Sequence, residues 1–198
     1  MAKQARALRT YDRVLDAAAE EFARYGYANT NLQRIADRIG LTKGALYGHF
    51  TNKEELATAL TDQLADTTGT LLDDARKPSA PARDRLRALV LALGRLFQTD
   101  TRALAALRLE AEAAWAGAVP IPLLVHTHEV VLQLVDDTQR EENLNSALQP
   151  RPLADLIVAT VFGIVWTRYG ARRGEPVDLV DAMWNALART LDENTPPR

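Results

Sequence analysis

The chain has 198 residues, 47% of them apolar, a formal net charge of −2 and no cysteine. That suffices for one sizeable domain or two small ones with a real core, and it excludes disulfides and thiolate chemistry. No run approaches the ~18 apolar residues that a bilayer span needs, and the basic, polar start does not read as a signal peptide, so the expectation is a cytoplasmic protein.

Thr10 to Tyr25 carries Val14, Ala17, Ala18 and Phe22 at helical spacing, with Asp12, Asp16, Glu20 and Glu21 on the wet side and Gly26 placed as a stop. The Lys3, Arg6 and Arg9 that precede it show no apolar periodicity and read as a basic arm open to phosphates or a minor groove. Thr30 is placed to cap a short second helix through Leu32, Ile35, Ala36 and Ile39, which Gly40 ends. Thr42 then caps a third, from Thr42 to His49.

The third helix is the informative one. Leu46 and Phe50, four apart, share one apolar face, while Thr42, Lys43, Tyr47 and His49 offer donors and a cation on the other. Gly44 and Ala45 leave the backbone bare, as close approach to phosphates and base edges requires. Two short helices joined by a glycine turn and packed on a longer first helix make a helix-turn-helix unit, whose second member lies in the major groove. Thr42, Lys43, Gly44, Ala45, Tyr47 and His49 are therefore candidate DNA contacts, joined by Thr30, Asn31 and Gln33 before them and Asn52 and Lys53 after them. Charge follows the same division: residues 1–53 hold nine Lys or Arg against five Asp or Glu, and the remainder fifteen against twenty-one.

Phe22, Gly26-Tyr27, Thr30, Ile35-Ala36, Gly40 to Tyr47, Phe50 and Asn52 to Leu56 resemble, in order and spacing, the N-terminal domain of the TetR-type transcriptional regulators. Within that family, Lys43 to Tyr47 with His49-Phe50 is most similar to the γ-butyrolactone autoregulator receptors, although Gly48 stands where those receptors place a bulkier residue. The resemblance implies an all-α, nine-helix fold, with a DNA-binding domain at 1–52 and a helical effector-binding and dimerisation domain at 53–198. It also implies a repressor released from a palindromic operator by a small hydrophobic effector, a γ-butyrolactone or another lipophilic metabolite.

Every later segment reads as helix. Asn52 and Glu55 suggest a capping box that opens a helix to Arg76. Further helices are expected over 83–98, 102–115, from Pro122 through Val135, 153–169 and 177–191, with no period-2 pattern competing. The broad apolar faces of the last two, Leu153, Leu156, Ile157, Val161, Ile164 and Val165 with Val180, Met183, Trp184 and Leu187, suggest a four-helix dimer interface. Leu107, Arg108, Ala111, Trp115, His126, Val130, Phe162 and Trp166 are candidates to line an effector cavity.

Catalytic readings find no support in the sequence. His126 and His128 fall on opposite faces of a helix and make a poor chelate, and neither a phosphate loop nor a serine elbow occurs. No cofactor, metal or catalytic residue is expected, and the chain reads as a regulator and not an enzyme. A regulator whose C-terminal domain only dimerises, with no effector, is the alternative reading, and an all-helical enzyme a remote one.

Overall fold

A computed structural model describes residues 2–117, 119–142 and 149–170, and, beyond 170, residues 181, 182, 184–186 and 188; the side chains of 2, 3 and 164–170 also lie outside the description. Eight helices occur among these residues: α1 (Ala2–Asn29), α2 (Leu32–Arg38), α3 (Lys43–Tyr47), α4 (Lys53–Arg76), α5 (Ala82–Thr99), α6 (Thr101–Gly117), α7 (Pro122–Glu141) and α8 (Pro150–Gly170). The all-α expectation holds. Most of the expected ninth helix lies outside the described residues, and those of its residues that are described are helical. The expected basic arm does not stand apart from α1: the helix begins at Ala2, so Arg6 and Arg9 ride exposed on its first turns.

The chain folds as two compact units, Met1–Asp66 with Asp100–Ile121, and Thr67–Thr99 with Pro122–Arg198. The boundary expected at 52/53 falls inside the first unit, because α6 packs along α1. The chain passes between the units at 66/67, 99/100 and 121/122.

In the first unit Val14, Ala18 and Phe22 of α1 are buried with Ile35 and Ala36 of α2, Leu46 of α3, Phe50, and Leu56 and Leu60 of α4. The Tyr11 ring stacks on Phe50 at 4.7 Å between centroids, fixing the turn after α3 to α1. Arg102 anchors the start of α6, donating to Asp16 Oδ1 at 2.8 Å and to the Asp12 carbonyl at 2.9 Å.

In the second unit α5, α7 and α8 pack together. Leu86, Leu93 and Phe97 of α5, Val130, Leu134 and Val135 of α7, and Leu153, Ile157 and Val161 of α8 are all buried. Phe97 and Phe162 lie 5.5 Å apart with tilted rings. Three of the residues expected at a dimer interface are therefore spent inside this chain. The physical reason lies in α8 itself: a helix apolar on nearly every side gives its sequence no inward preference. Trp184 is likewise buried, whereas Leu156, 47% exposed, remains open. The other expected interface residues, Ile164, Val165, Val180, Met183 and Leu187, lie outside the described side chains.

Candidate nucleic-acid interface

Local hydrogen bonding builds the interface. α1 breaks at Gly26, whose φ of +73° is open to glycine at little cost. The break frees backbone groups, and several find partners from elsewhere in the unit. Thr30 Oγ1 donates to the Gly26 carbonyl at 2.6 Å, and its residue is buried. Thr30 therefore does not cap α2. Asn31 caps instead, its Oδ1 accepting from the Gln33 N–H at 2.8 Å, while the Gln33 amide donates to Asp37 at 2.7 Å. Asn and Thr are both good capping residues, and here the deeper position went to the one with the apolar methyl.

α2 ends at Gly40, with φ +67°, and the Leu41 N–H returns to the Ala36 carbonyl at 3.0 Å. Thr42 then caps α3 as expected, its hydroxyl accepting from the Ala45 N–H at 3.1 Å. Only Leu46 of α3 is buried; Lys43, Gly44, Ala45 and Tyr47 are exposed, and His49 just beyond is half-buried. The Lys43 ammonium stands 5.8 Å from the Tyr47 ring centroid. Gly48 lies past the helix interior as its C-cap, in right-handed α conformation, so the interior-glycine penalty does not apply.

The basic excess is mostly bracing. Arg34 pairs with the buried Glu21, donates to the Asn29 carbonyl at 2.7 Å and lies over the Tyr25 ring. Arg38 pairs with Glu20, and Arg13 donates to the Ile39 carbonyl at 2.9 Å, tying α2 to α1. Lys53, expected at DNA, instead caps the end of α1: its Nζ donates to the Tyr27 carbonyl at 2.6 Å and sits 4.4 Å from the Tyr27 ring centroid. Asn52 caps α4, accepting from the Glu55 N–H at 2.7 Å. Glu55 returns one residue earlier than a capping box requires, accepting from the Thr51 N–H and hydroxyl at 2.6 and 2.8 Å. Those two bonds, the backbone one first, hold its carboxyl below its ordinary range. What remains outward on α3 is one cation, one phenol and two small residues: a surface for a groove and not for a core.

Residues 14–60 match the family model of the bacterial regulatory proteins, tetR family. Over that stretch the chain is similar to the tetR family. The chain is 48% identical over 67 residues to the A-factor receptor protein of Streptomyces griseus, a match covering 34% of this chain and 24% of that one. It thus spans about a quarter of the length of the curated relatives it matches. Structural likeness runs further. A gamma-butyrolactone receptor (ArpA-like protein) aligns at TM-score 0.68 and 26% identity, over 94% of this chain and 99% of that one. CprB from Streptomyces coelicolor A3(2), a TetR family protein, aligns at 0.76 and 29%, over 93% and 89%; CprB has also been solved with its biological operator sequence.

Behind these helices lies a clamp that the sequence did not reveal. Arg108 of α6 donates to the Ala23 carbonyl at 2.8 Å and to Glu112 at 2.8 Å, and Glu112 accepts the Tyr27 N–H at 2.7 Å. The i,i+4 spacing of Arg108 and Glu112 is a legible sign of pairing; their partners on α1 are not.

The eight residues expected to line an effector cavity fall in both units. Leu107, Arg108, Ala111 and Trp115 belong to the first unit and His126, Val130 and Phe162 to the second, while the Trp166 side chain lies outside the description. Trp115 is 77% exposed and His126 is exposed; Arg108 is committed to the clamp, and Val130 and Phe162 to packing. His128 bonds across to Asp155 at 2.7 Å, and no cluster of three metal-ligating side chains occurs among the described residues. No single helix there is long and apolar enough to cross a membrane.

Proposed function

We propose that this protein is a transcriptional regulator that binds a palindromic operator as a homodimer, with Lys43, Gly44, Ala45 and Tyr47 entering the major groove. The observation that carries the reading is the outward face of α3, exposed and without a structural duty, on a helix pair braced by Arg13, Arg34 and Arg38. A braced scaffold presenting few side chains is what base readout needs. Its likeness to CprB, solved with an operator, supports DNA as the partner.

Release by a small hydrophobic effector is part of the proposal. It rests on likeness to proteins named as A-factor and gamma-butyrolactone receptors. An effector acts only by favouring the conformation that does not fit DNA. The close packing of α5, α7 and α8 among the described residues favours the second reading, a regulator whose C-terminal part dimerises without an effector. Selecting an operator from random DNA with the full chain, then adding a γ-butyrolactone to the complex, tests both. Wild type selects a palindrome while Lys43→Ala and Tyr47→Ala lose affinity at fixed salt; unchanged affinity in both variants overturns the α3 assignment. Release by the lactone supports the effector, and indifference across such lactones supports the second reading.

A further inference from the structure

A cavity of about 620 Å³ opens inside the first unit, between the end of α1, the first turns of α4 and the last turns of α6. Its floor is apolar, from Leu109, Ala113 and neighbouring alanines, with the Tyr27 ring at one side. Three carboxylates, Glu54, Glu110 and Glu112, reach its lining, and no lysine or arginine does. Two of the chain's own cations approach from the margins: Arg108 holds Glu112 at 2.8 Å, and Lys53 stands over the Tyr27 ring at 4.4 Å. A neutral apolar ligand would fill the floor and leave carboxylates desolvated beside it, which is costly; an anion would be repelled. A cation with an apolar body satisfies both parts of the lining, by charge-assisted hydrogen bonding and by contact with the tyrosine face.

We propose that this cavity is a binding site for a small organic ammonium ion with an apolar body, and that the ligand competes with Arg108 for Glu112. Its lining includes none of the residues expected to hold a hydrophobic effector. Because Glu112 also accepts the Tyr27 N–H at 2.7 Å, taking up its carboxylate loosens the end of α1 on which the helix-turn-helix sits. This second, coupling step rests on the DNA-binding reading above; the binding step does not.

Calorimetry on the full chain with 4-phenylbutylamine, 4-phenylbutanol and 4-phenylbutanoate tests the binding step, since the three share a body and differ in charge. The amine binds at one per chain and the other two do not compete with it. Glu110→Gln and Glu54→Gln each weaken the amine by about tenfold, the scale of one charge-assisted hydrogen bond. Ala113→Phe fills the floor and abolishes binding; should that variant fail to fold, the two glutamine variants still decide. Equal binding of alcohol and amine, or no effect of either glutamine variant, overturns the site. Adding the amine to a preformed operator complex tests the coupling: release supports it, and saturation without release overturns it. If wild type selects no operator at all, the DNA-binding reading fails while the calorimetry stands.

Discussion

Gly26 and Gly40 share nearly the same left-handed φ, +73° and +67°, in quite different surroundings. A Cβ at Gly40 meets nothing within 4 Å, whereas one at Gly26 runs into Glu112 Oε1. Alanine at either position incurs about 1 kcal/mol or more of backbone strain. Gly26→Ala must in addition displace the Glu112 carboxylate from the Tyr27 N–H. We expect thermal unfolding to show a larger loss for Gly26→Ala than for Gly40→Ala; equal losses would mean the clamp adds nothing. Glu55 supplies a second test at this scale. Its folded carboxyl titrates below the ordinary 4.5, so its contribution to stability is complete above that pH and disappears as pH falls through the folded value. The stability difference between wild type and Glu55→Gln is therefore constant at neutral pH and shrinks on acidification below about 4.5. A difference that stays flat into acid would assign Glu55 no such role.

At the scale of elements, α3 is short enough that its ends decide its behaviour. The Thr42 cap and the single buried anchor Leu46 leave the rest of its surface free. Among the cations of α2 and α3, Lys43 is the one with no carboxylate partner, since Arg34 and Arg38 are neutralised by Glu21 and Glu20. Lys43→Ala should therefore lower the slope of log affinity against log salt by about 1, the release of one counterion. Arg38→Ala, by contrast, should leave that slope nearly unchanged while lowering stability modestly, since exposed pairs are worth ~1 kcal/mol or less. Operator titrations at several salt concentrations separate the two. A slope that moves with Arg38 and not with Lys43 would place the phosphate contact on α2.

For the whole molecule, the dimer remains a proposal with a narrower interface than the sequence suggested. Leu153, Ile157, Val161 and Trp184 serve this chain's own core, so the described flank of α8 that stays open is the one around Leu156 and Ala159. Light scattering at micromolar concentration should give a dimer. Leu156→Asp should shift it toward monomer, since a charge on that flank is desolvated on pairing. A dimer indifferent to Leu156→Asp would put the interface elsewhere.

Local signals were the legible ones. Helix periodicity in α1 and α4 to α7, the caps at Thr42 and Asn52, and the glycine stops at 26 and 40 depend on residues within a turn or two of one another, and the sequence alone determined them. The outward chemistry of α3 belongs with them, because Leu46 and Phe50 leave Lys43 and Tyr47 only the other face. The decisions left to tertiary structure were those where several local answers were equally good. Thr30 and Asn31 could each cap α2, Lys53 could reach a phosphate or a carbonyl, and α8 could bury any flank. Burial against the α5 and α7 faces settled α8, a carbonyl 26 residues away settled Lys53, and the carbonyl freed at the Gly26 break settled Thr30.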